Sequence, residues 1–262
     1  MKMRFPKKSL GQNFLIDKNI VQKIVDLLPI KNKNIIEIGP GKGALSEEIL
    51  KREPKSLLVI EKDTKLSKDL EIKFKKNNLI KIYNDDILDF DLEKFIKKET
   101  IIFGNLPYNI SSQILIKILR FEKWPPNFTD LIFMFQKELG EKIIGKFKTK
   151  NYGRISIVTS YRLKSHQKFN VSPNCFFPKP KVNSIVINFK PKLKCNPKIK
   201  VGSLEKITNI IFSNKRKMIN KNIRKIISEE EIKSLPFLRN SLRPVEIDPE
   251  TYFKITEIYE NQ

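Results

Sequence analysis

Histidine is nearly missing from this chain. His166 is the only one among 262 residues, and it lies outside every motif described below. Imidazole acid–base catalysis and histidine-based metal sites therefore have almost nothing to work with, and His166 is expected on a loop or at the surface. Cysteine is as scarce: Cys175 and Cys195 are the only two and match no metal-ligand or redox spacing. They read as ordinary reduced thiols, and no metal is expected. No apolar run approaches the roughly 18 residues of a membrane span. The start, Met1-Lys2-Met3-Arg4-Phe5-Pro6-Lys7-Lys8, is basic but has no apolar stretch of the signal-peptide kind. A soluble, cytoplasmic protein with no membrane partner is the expectation. Acidic residues are the under-supplied charge, 29 Asp and Glu against 52 Lys and Arg, which leaves +23. Such an excess points to a polyanion, either nucleic acid or an anionic surface.

The length suits one large domain with a smaller one, and strand-like and helix-like stretches alternate through the first half. Asn34–Gly39 is a buried strand that ends in the glycine turn Gly39-Pro40-Gly41-Lys42-Gly43, with a helix from about Ala44 to Arg52. Ser56–Ile60 is a second strand ending at Glu61, after which Thr64 can cap a helix. Leu79–Asn84 is a third, closed by Asp85-Asp86, while Ile101-Ile102-Phe103 and Asp130–Phe135 supply a fourth and fifth. This order implies an α/β, doubly wound parallel sheet. Ile155–Tyr161 and Ser184–Phe189 also read as strands. From Pro178 to Lys200 there are seven lysines and no acid, a linker-like composition that puts a boundary near 190–200. Residues 203–262 show helical periodicity only. The expected division is 1–192 for the sheet domain and 200–262 for a small all-α domain.

The ends of these strands carry the chemistry. The glycine turn lacks the Lys-Ser/Thr ending of a P-loop and differs from G-x-G-x-x-G, but its glycines allow close approach of backbone to a ligand. Glu61 stands where an acid accepts from ribose hydroxyls, and Asp86 can accept from an adenine amino group. An adenosine moiety fits, as in S-adenosylmethionine or NAD. NAD fits less well, because nothing basic or hydroxylated replaces its phosphate contacts. Asn105-Leu106-Pro107-Tyr108 forms a strand-to-helix turn before Ser111–Leu119. Asn105 offers a side-chain carbonyl, Pro107 stiffens the turn and biases Leu106 toward extended backbone, and Tyr108 presents a ring. Two acceptors beside a ring suit a flat base with an exocyclic amino group. An ordinary turn with a buried tyrosine is the alternative.

Taken together, Ser9-Leu10-Gly11-Gln12-Asn13-Phe14-Leu15, Glu37-Ile38-Gly39-Pro40-Gly41, Gly104-Asn105-Leu106-Pro107-Tyr108 and Phe176-x-Pro-x-Pro-Lys-Val resemble the ribosomal RNA adenine dimethyltransferases of the KsgA type. Phe135–Glu138, Tyr152-Gly153-Arg154 and Arg216-Lys217 extend the likeness over nearly the whole chain. The resemblance implies a Rossmann-like class I methyltransferase sheet with helices on both faces and a small C-terminal all-α domain. It also implies S-adenosyl-L-methionine as cofactor, and dimethylation of two adjacent adenines near the 3′ end of small-subunit (16S) ribosomal RNA within a pre-30S particle, with a role in subunit biogenesis. In that family's terms Asn13 and Leu15 flank the methionine end of the cofactor, and Gly39 and Gly41 approach it. Glu61 takes the ribose and Asp86 the adenine. Asn105 touches both cofactor and target, the Leu106 carbonyl accepts from the target amino group, and Tyr108 and Phe176 sandwich the flipped base. Ala44-Leu45-Ser46 and Lys215-Arg216-Lys217 depart slightly from the family's usual Thr-containing and Arg-containing stretches.

Lys8, Lys181, Arg216, Lys217 and Lys221 are the expected RNA contacts. The spacing 217, 221, 224 is expected to place three cations on one helical face. A large-subunit adenine methyltransferase of the antibiotic-resistance type is the nearest alternative, but such enzymes usually carry Ile where Leu106 stands. A non-catalytic ribosome assembly factor is the second alternative, opposed by intact Asn105 and Tyr108. A monomer is expected.

Overall fold

In a computed structural model that describes residues 12–262, strands and helices alternate through the first two-thirds of the chain. In order they are β1 (Phe14–Leu15), α1 (Lys18–Val25), β2 (Asn34–Ile38), α2 (Ala44–Lys51), β3 (Ser56–Glu61), α3 (Thr64–Phe74), β4 (Ile80–Asn84), β5 (Thr100–Asn105), α4 (Ser111–Leu119), β6 (Phe128–Gln136), α5 (Lys137–Ile143), α6 (Arg154–Arg162), β7 (Leu163–Val171), β8 (Phe176–Phe177) and β9 (Ser184–Pro191). Four helices follow: α7 (Val201–Ile211), α8 (Asn220–Ile223), α9 (Glu229–Ser234) and α10 (Pro249–Glu260). The chain forms two compact units. One runs to Ile118 and adds Pro126–Gly140 and Ser165–Pro191; the other holds Leu119–Pro125, Glu141–Lys164 and Lys192–Gln262.

The first unit is built on a seven-stranded sheet in the order β4-β3-β2-β5-β6-β9-β7. β2 pairs in parallel with both β3 and β5, β4 and β6 extend those pairs in parallel, and β9 runs antiparallel to β6. Ile35, Val59, Phe103 and Met134 join Val21 and Ile24 of α1, Leu45 and Ile49 of α2 and Leu70 of α3 in one apolar cluster. The alternate strand residues, Ile36, Ile60, Ile102 and Phe133, are buried as well. With a side-chain period of two, both faces of the sheet are covered. This is why the strands read as unbroken apolar runs. Strand order reverses between β2 and β5, and such a reversal opens a crevice at the carboxyl ends of the strands.

Local capping sets where helices begin. Asp17 accepts from the amides of Asn19 and Ile20 at 2.9 and 3.1 Å and starts α1. For α3 the cap is Asp63, which accepts from Lys65 N and Leu66 N; Thr64, expected in that role, is the first helical residue. The run Ile155–Tyr161 is part of helix α6, not a strand. Its β-branched residues favour a strand, but Ser156 Oγ accepts from Gly153 N at 3.0 Å and closes a helical first turn. Ile157, Val158 and Tyr161 are then buried, and packing overrides propensity. Strand β7 follows at once. It is largely polar and exposed, and His166 lies on it, at the surface but in a strand rather than a loop.

In the second unit, residues 192–262 form helices and turns with no strand. Ile207, Ile211, Ile219, Ile223, Tyr252 and Ile255 are fully or nearly fully buried. Tyr152 Oη donates to the Ile247 carbonyl at 2.7 Å, and Tyr161 Oη to that of Asn196 at 2.6 Å. Among the described residues no helix is long and apolar enough to cross a membrane.

Candidate active site

A cleft opens where the carboxyl ends of β2, β3, β4 and β5 meet the segment 12–15. Its floor is the glycine turn. Gly39 and Gly41 have φ of +67° and +59°, in the left-handed region that glycine tolerates best. A Cβ on Gly41 would come within 2.8 Å of the Phe14 ring, so this turn and β1 are packed to the limit of a glycine.

Glu61, at the end of β3, fastens the turn. Its Oε2 accepts from Gly41 N at 3.1 Å and its Oε1 from Asp63 N at 2.9 Å. Burial raises its pKa, with the amides of Asp63, Gly41 and Lys62 pulling the other way. A carboxylate has about four lone-pair positions, so Glu61 keeps acceptor capacity for a hydroxyl entering the cleft. Asp86, just beyond β4, pairs with Lys62 Nζ at 2.5 Å and accepts from Leu88 N at 3.0 Å. Burial opposes its ionisation, but Lys62 and that amide outweigh it and hold the carboxyl below its usual range.

Asn105 closes β5. Its Nδ2 donates to the Asn13 carbonyl at 3.2 Å, which fixes the amide orientation and leaves Oδ1 as an acceptor. Leu106 is buried, while Pro107 and the half-buried Tyr108 line the cleft. Tyr108 Oη lies 2.5 Å from Ser184 Oγ, at the start of β9, and burial raises the phenol pKa despite that bond.

The structure thus brings Asn13, Leu15, Gly39, Gly41, Glu61, Asp86, Asn105, Leu106 and Tyr108 to one cleft. Phe176 is placed differently. It pairs with Leu15 across the β1–β8 ribbon, is 3 % exposed, and belongs to the apolar cluster beneath the sheet. Lys181 is exposed in the first unit, and Arg216, Lys217 and Lys221 are exposed in the second. The shared helical face expected for 217, 221 and 224 does not form. Helix α8 spans only Asn220–Ile223, Lys217 sits in the preceding bend, and Arg224 is paired with Glu229. Lys8 lies outside the described residues. Among those residues no cluster of three or more His, Cys, Asp or Glu is placed to hold a metal.

Two residues of the site went unassigned in the sequence reading. Glu37 lines the cleft, is 1 % exposed, and accepts from Ser46 Oγ at 2.5 Å. Desolvation pushes its carboxyl up to about 7. The signal was available: an acid inside Asn34-Ile35-Ile36-Glu37-Ile38, a strand otherwise buried on both faces. Ser184 gave no such signal.

A sequence model described as ribosomal RNA adenine dimethylase matches residues 4–261. The chain belongs to that family. The small-subunit ribosomal RNA methyltransferase A of Pelagibacter ubique is 42 % identical over 262 residues, covering 97 % of each chain. The protein of that name from Mesomycoplasma hyopneumoniae strain 232 is 38 % identical, over 100 % of this chain and 99 % of its own. Among solved structures, a dimethyladenosine transferase from Plasmodium falciparum matches with a TM-score of 0.73 at 24 % identity, over 92 % of this chain and 95 % of its own. The 23S rRNA methyltransferase ErmE matches with a TM-score of 0.65 at 20 % identity, over 95 % and 100 %. These two establish the class I methyltransferase fold. Members of the ribosomal RNA adenine dimethylase family are S-adenosylmethionine-dependent enzymes, and the cleft here fits an adenosyl group: the glycine turn carries no side chains at Gly39 and Gly41, and Glu61 keeps free lone pairs beside it.

Proposed function

We propose that this chain transfers two methyl groups to the exocyclic amino nitrogen of adenines in small-subunit ribosomal RNA. The observation that carries the reading is the anchored Asn105. With Nδ2 committed to Asn13, its Oδ1 is an acceptor of fixed orientation in the cleft that Tyr108 also lines.

The amino nitrogen of adenine is a poor nucleophile because its lone pair is delocalised into the ring. Hydrogen bonds donated by that amino group to Asn105 Oδ1 and to the Leu106 carbonyl draw it toward tetrahedral geometry and localise the lone pair. S-adenosylmethionine, when bound, supplies an electrophilic methyl on its sulfonium, with Glu61, Asp86, Gly39, Gly41, Asn13 and Leu15 as the residues that hold it. Methylation makes the nitrogen's own proton acidic, so no strong base is needed. The work of the site is positioning, worth roughly 7–11 kcal/mol for well-oriented partners. A base must leave its stack to enter, at a few kcal/mol, and Tyr108 and Phe176 offset that by stacking. Because Phe176 is buried beneath the ribbon, its ring has to turn outward when a base arrives. Lys8, Lys181, Arg216, Lys217 and Lys221 grip phosphates of an assembling small-subunit particle. The enzyme works in the cytoplasm as a monomer and without a metal.

The large-subunit alternative has weaker support. Its structural likeness speaks to fold, whereas relatives near 40 % identity over the full length carry the small-subunit name. Labelled S-adenosylmethionine incubated with undermethylated small subunits, and separately with large subunits, tests the reading. Label is expected in adenines of the small subunit only. Asn105→Ala is expected to lower the rate by at least about 100-fold, as loss of a positioned hydrogen-bonding group does, with the melting temperature unchanged. Near-normal turnover by that variant refutes the mechanism.

A further inference from the structure

Phe177 is an aromatic side chain that the mechanism leaves unused. It follows Phe176 on β8, and the two rings take opposite sides as a period of two requires. Phe176 is buried, while Phe177 is 45 % exposed. Antiparallel pairing sets Phe177 opposite Phe14 and Phe176 opposite Leu15, and both Phe14 and Leu15 line the cleft. The ribbon is therefore part of the cleft's rim. Lys42, exposed on the glycine turn and also lining the cleft, reaches the same place. Its Nζ lies 4.9 Å from the centroid of the Phe14 ring and 6.0 Å from that of Phe177. Those rings are the aromatic contacts of its ammonium, and among the described residues no carboxylate forms an ion pair with it.

An uncompensated ammonium beside an exposed ring, in a chain of net charge +23, is complementary to one kind of ligand. Single-stranded nucleic acid offers a phosphate to the cation and a base to the ring. Extruding one base also leaves its neighbour without a stacking partner, and a ring at the rim can replace that partner. The geometry points to a second nucleotide position on this rim: Phe177 stacks the base that adjoins the target adenine, and Lys42 takes the phosphate between them. This assignment rests on the function proposed above and adds to it the residues that hold the flanking nucleotide.

Two variants and one probe test it. Phe177→Ala, at an exposed position, is expected to raise KM for undermethylated small subunits about tenfold, the usual scale for one lost base stack. The saturating rate should stay within twofold, and the Kd for S-adenosylmethionine should not change. Phe177→Trp should restore KM. Lys42→Ala should raise KM and reduce the slope of log KM against log salt by about one. In a single-stranded RNA with 2-aminopurine next to an adenine, the wild-type chain should quench the fluorophore and Phe177→Ala should not. An unchanged KM in Phe177→Ala overturns the proposal. So does loss of cofactor affinity and melting temperature in that variant, which would make the ring a cover for the cleft. If the wild-type chain methylates no small subunit yet quenches through Phe177, the assigned activity fails and the docking position stands.

Discussion

Glu37→Gln removes one titration from the cleft while keeping an oxygen that can accept from Ser46 Oγ. Glu37 is surrounded by apolar strand residues and is 1 % exposed. Desolvation is the largest influence on it; the Ser46 hydroxyl and Lys73 favour the anion, and Glu61 disfavours it. The outcome is a carboxyl displaced from its ordinary value of 4.5 to about 7. A carboxyl raised in this way keeps in the folded chain a proton that the unfolded chain has already released. Stability therefore falls as pH rises from about 4.5 to about 7 and stays reduced above that range. At about 1.36 kcal/mol per pH unit, the displacement is worth ~3 kcal/mol. Glutamine carries no such penalty, so the variant should match the wild type near pH 4.5 and exceed it by up to ~3 kcal/mol at pH 8. Urea midpoints measured for both proteins at several pH values and constant ionic strength give the difference directly. Using the difference cancels the carboxylates that Glu37 does not feel, such as Asp86 and Glu47, which are lowered. A difference that does not vary with pH, or a variant less stable than wild type at pH 8, refutes the assignment of Glu37 as a buried acid with a raised pKa.

Tyr108→Phe and Ser184→Ala each delete one side of the bond that tethers the ring at the cleft, so each should cost about 1 kcal/mol, close to fivefold in kcat/KM for RNA. The double variant should lose no more than either single one. Additive losses would show that the two hydroxyls act independently. Gly41→Ala forces a side chain into a left-handed position at roughly 1–2 kcal/mol and pushes on the Phe14 ring, 2.8 Å from the new methyl group. It should weaken S-adenosylmethionine binding in titration calorimetry, and an unchanged Kd would show that the ribbon yields without cost.

The sheet could be read before it was seen because each parallel strand is buried on both faces and therefore carries an unmixed apolar run, as in Ile35-Ile36 or Ile101-Ile102-Phe103. The residues that close those strands were legible for a related reason: a glycine, acid or amide that ends such a run can face only the crevice. What stayed hidden depends on partners distant in sequence. Ser184 lies 76 residues from Tyr108, and nothing around it separates a tether from any other buried serine. Strand β7 was missed because its exposed residues have no apolar alternation, and helix α6 because its β-branched residues follow the packing around them. The β1–β8 ribbon shows both limits at once. The family motif singles out Phe176 over Phe177 but says nothing of burial, which appears only with the pairing of Leu15 with Phe176 and Phe14 with Phe177, one ring buried and the other facing solvent. On the function proposed above, a base drawn toward Tyr108 and the nucleotide next to it would meet consecutive residues of this ribbon. On that proposal, any shift of the ribbon that lets Phe176 out moves Phe177 as well, and the grip on the target would be coupled to the grip on its neighbour.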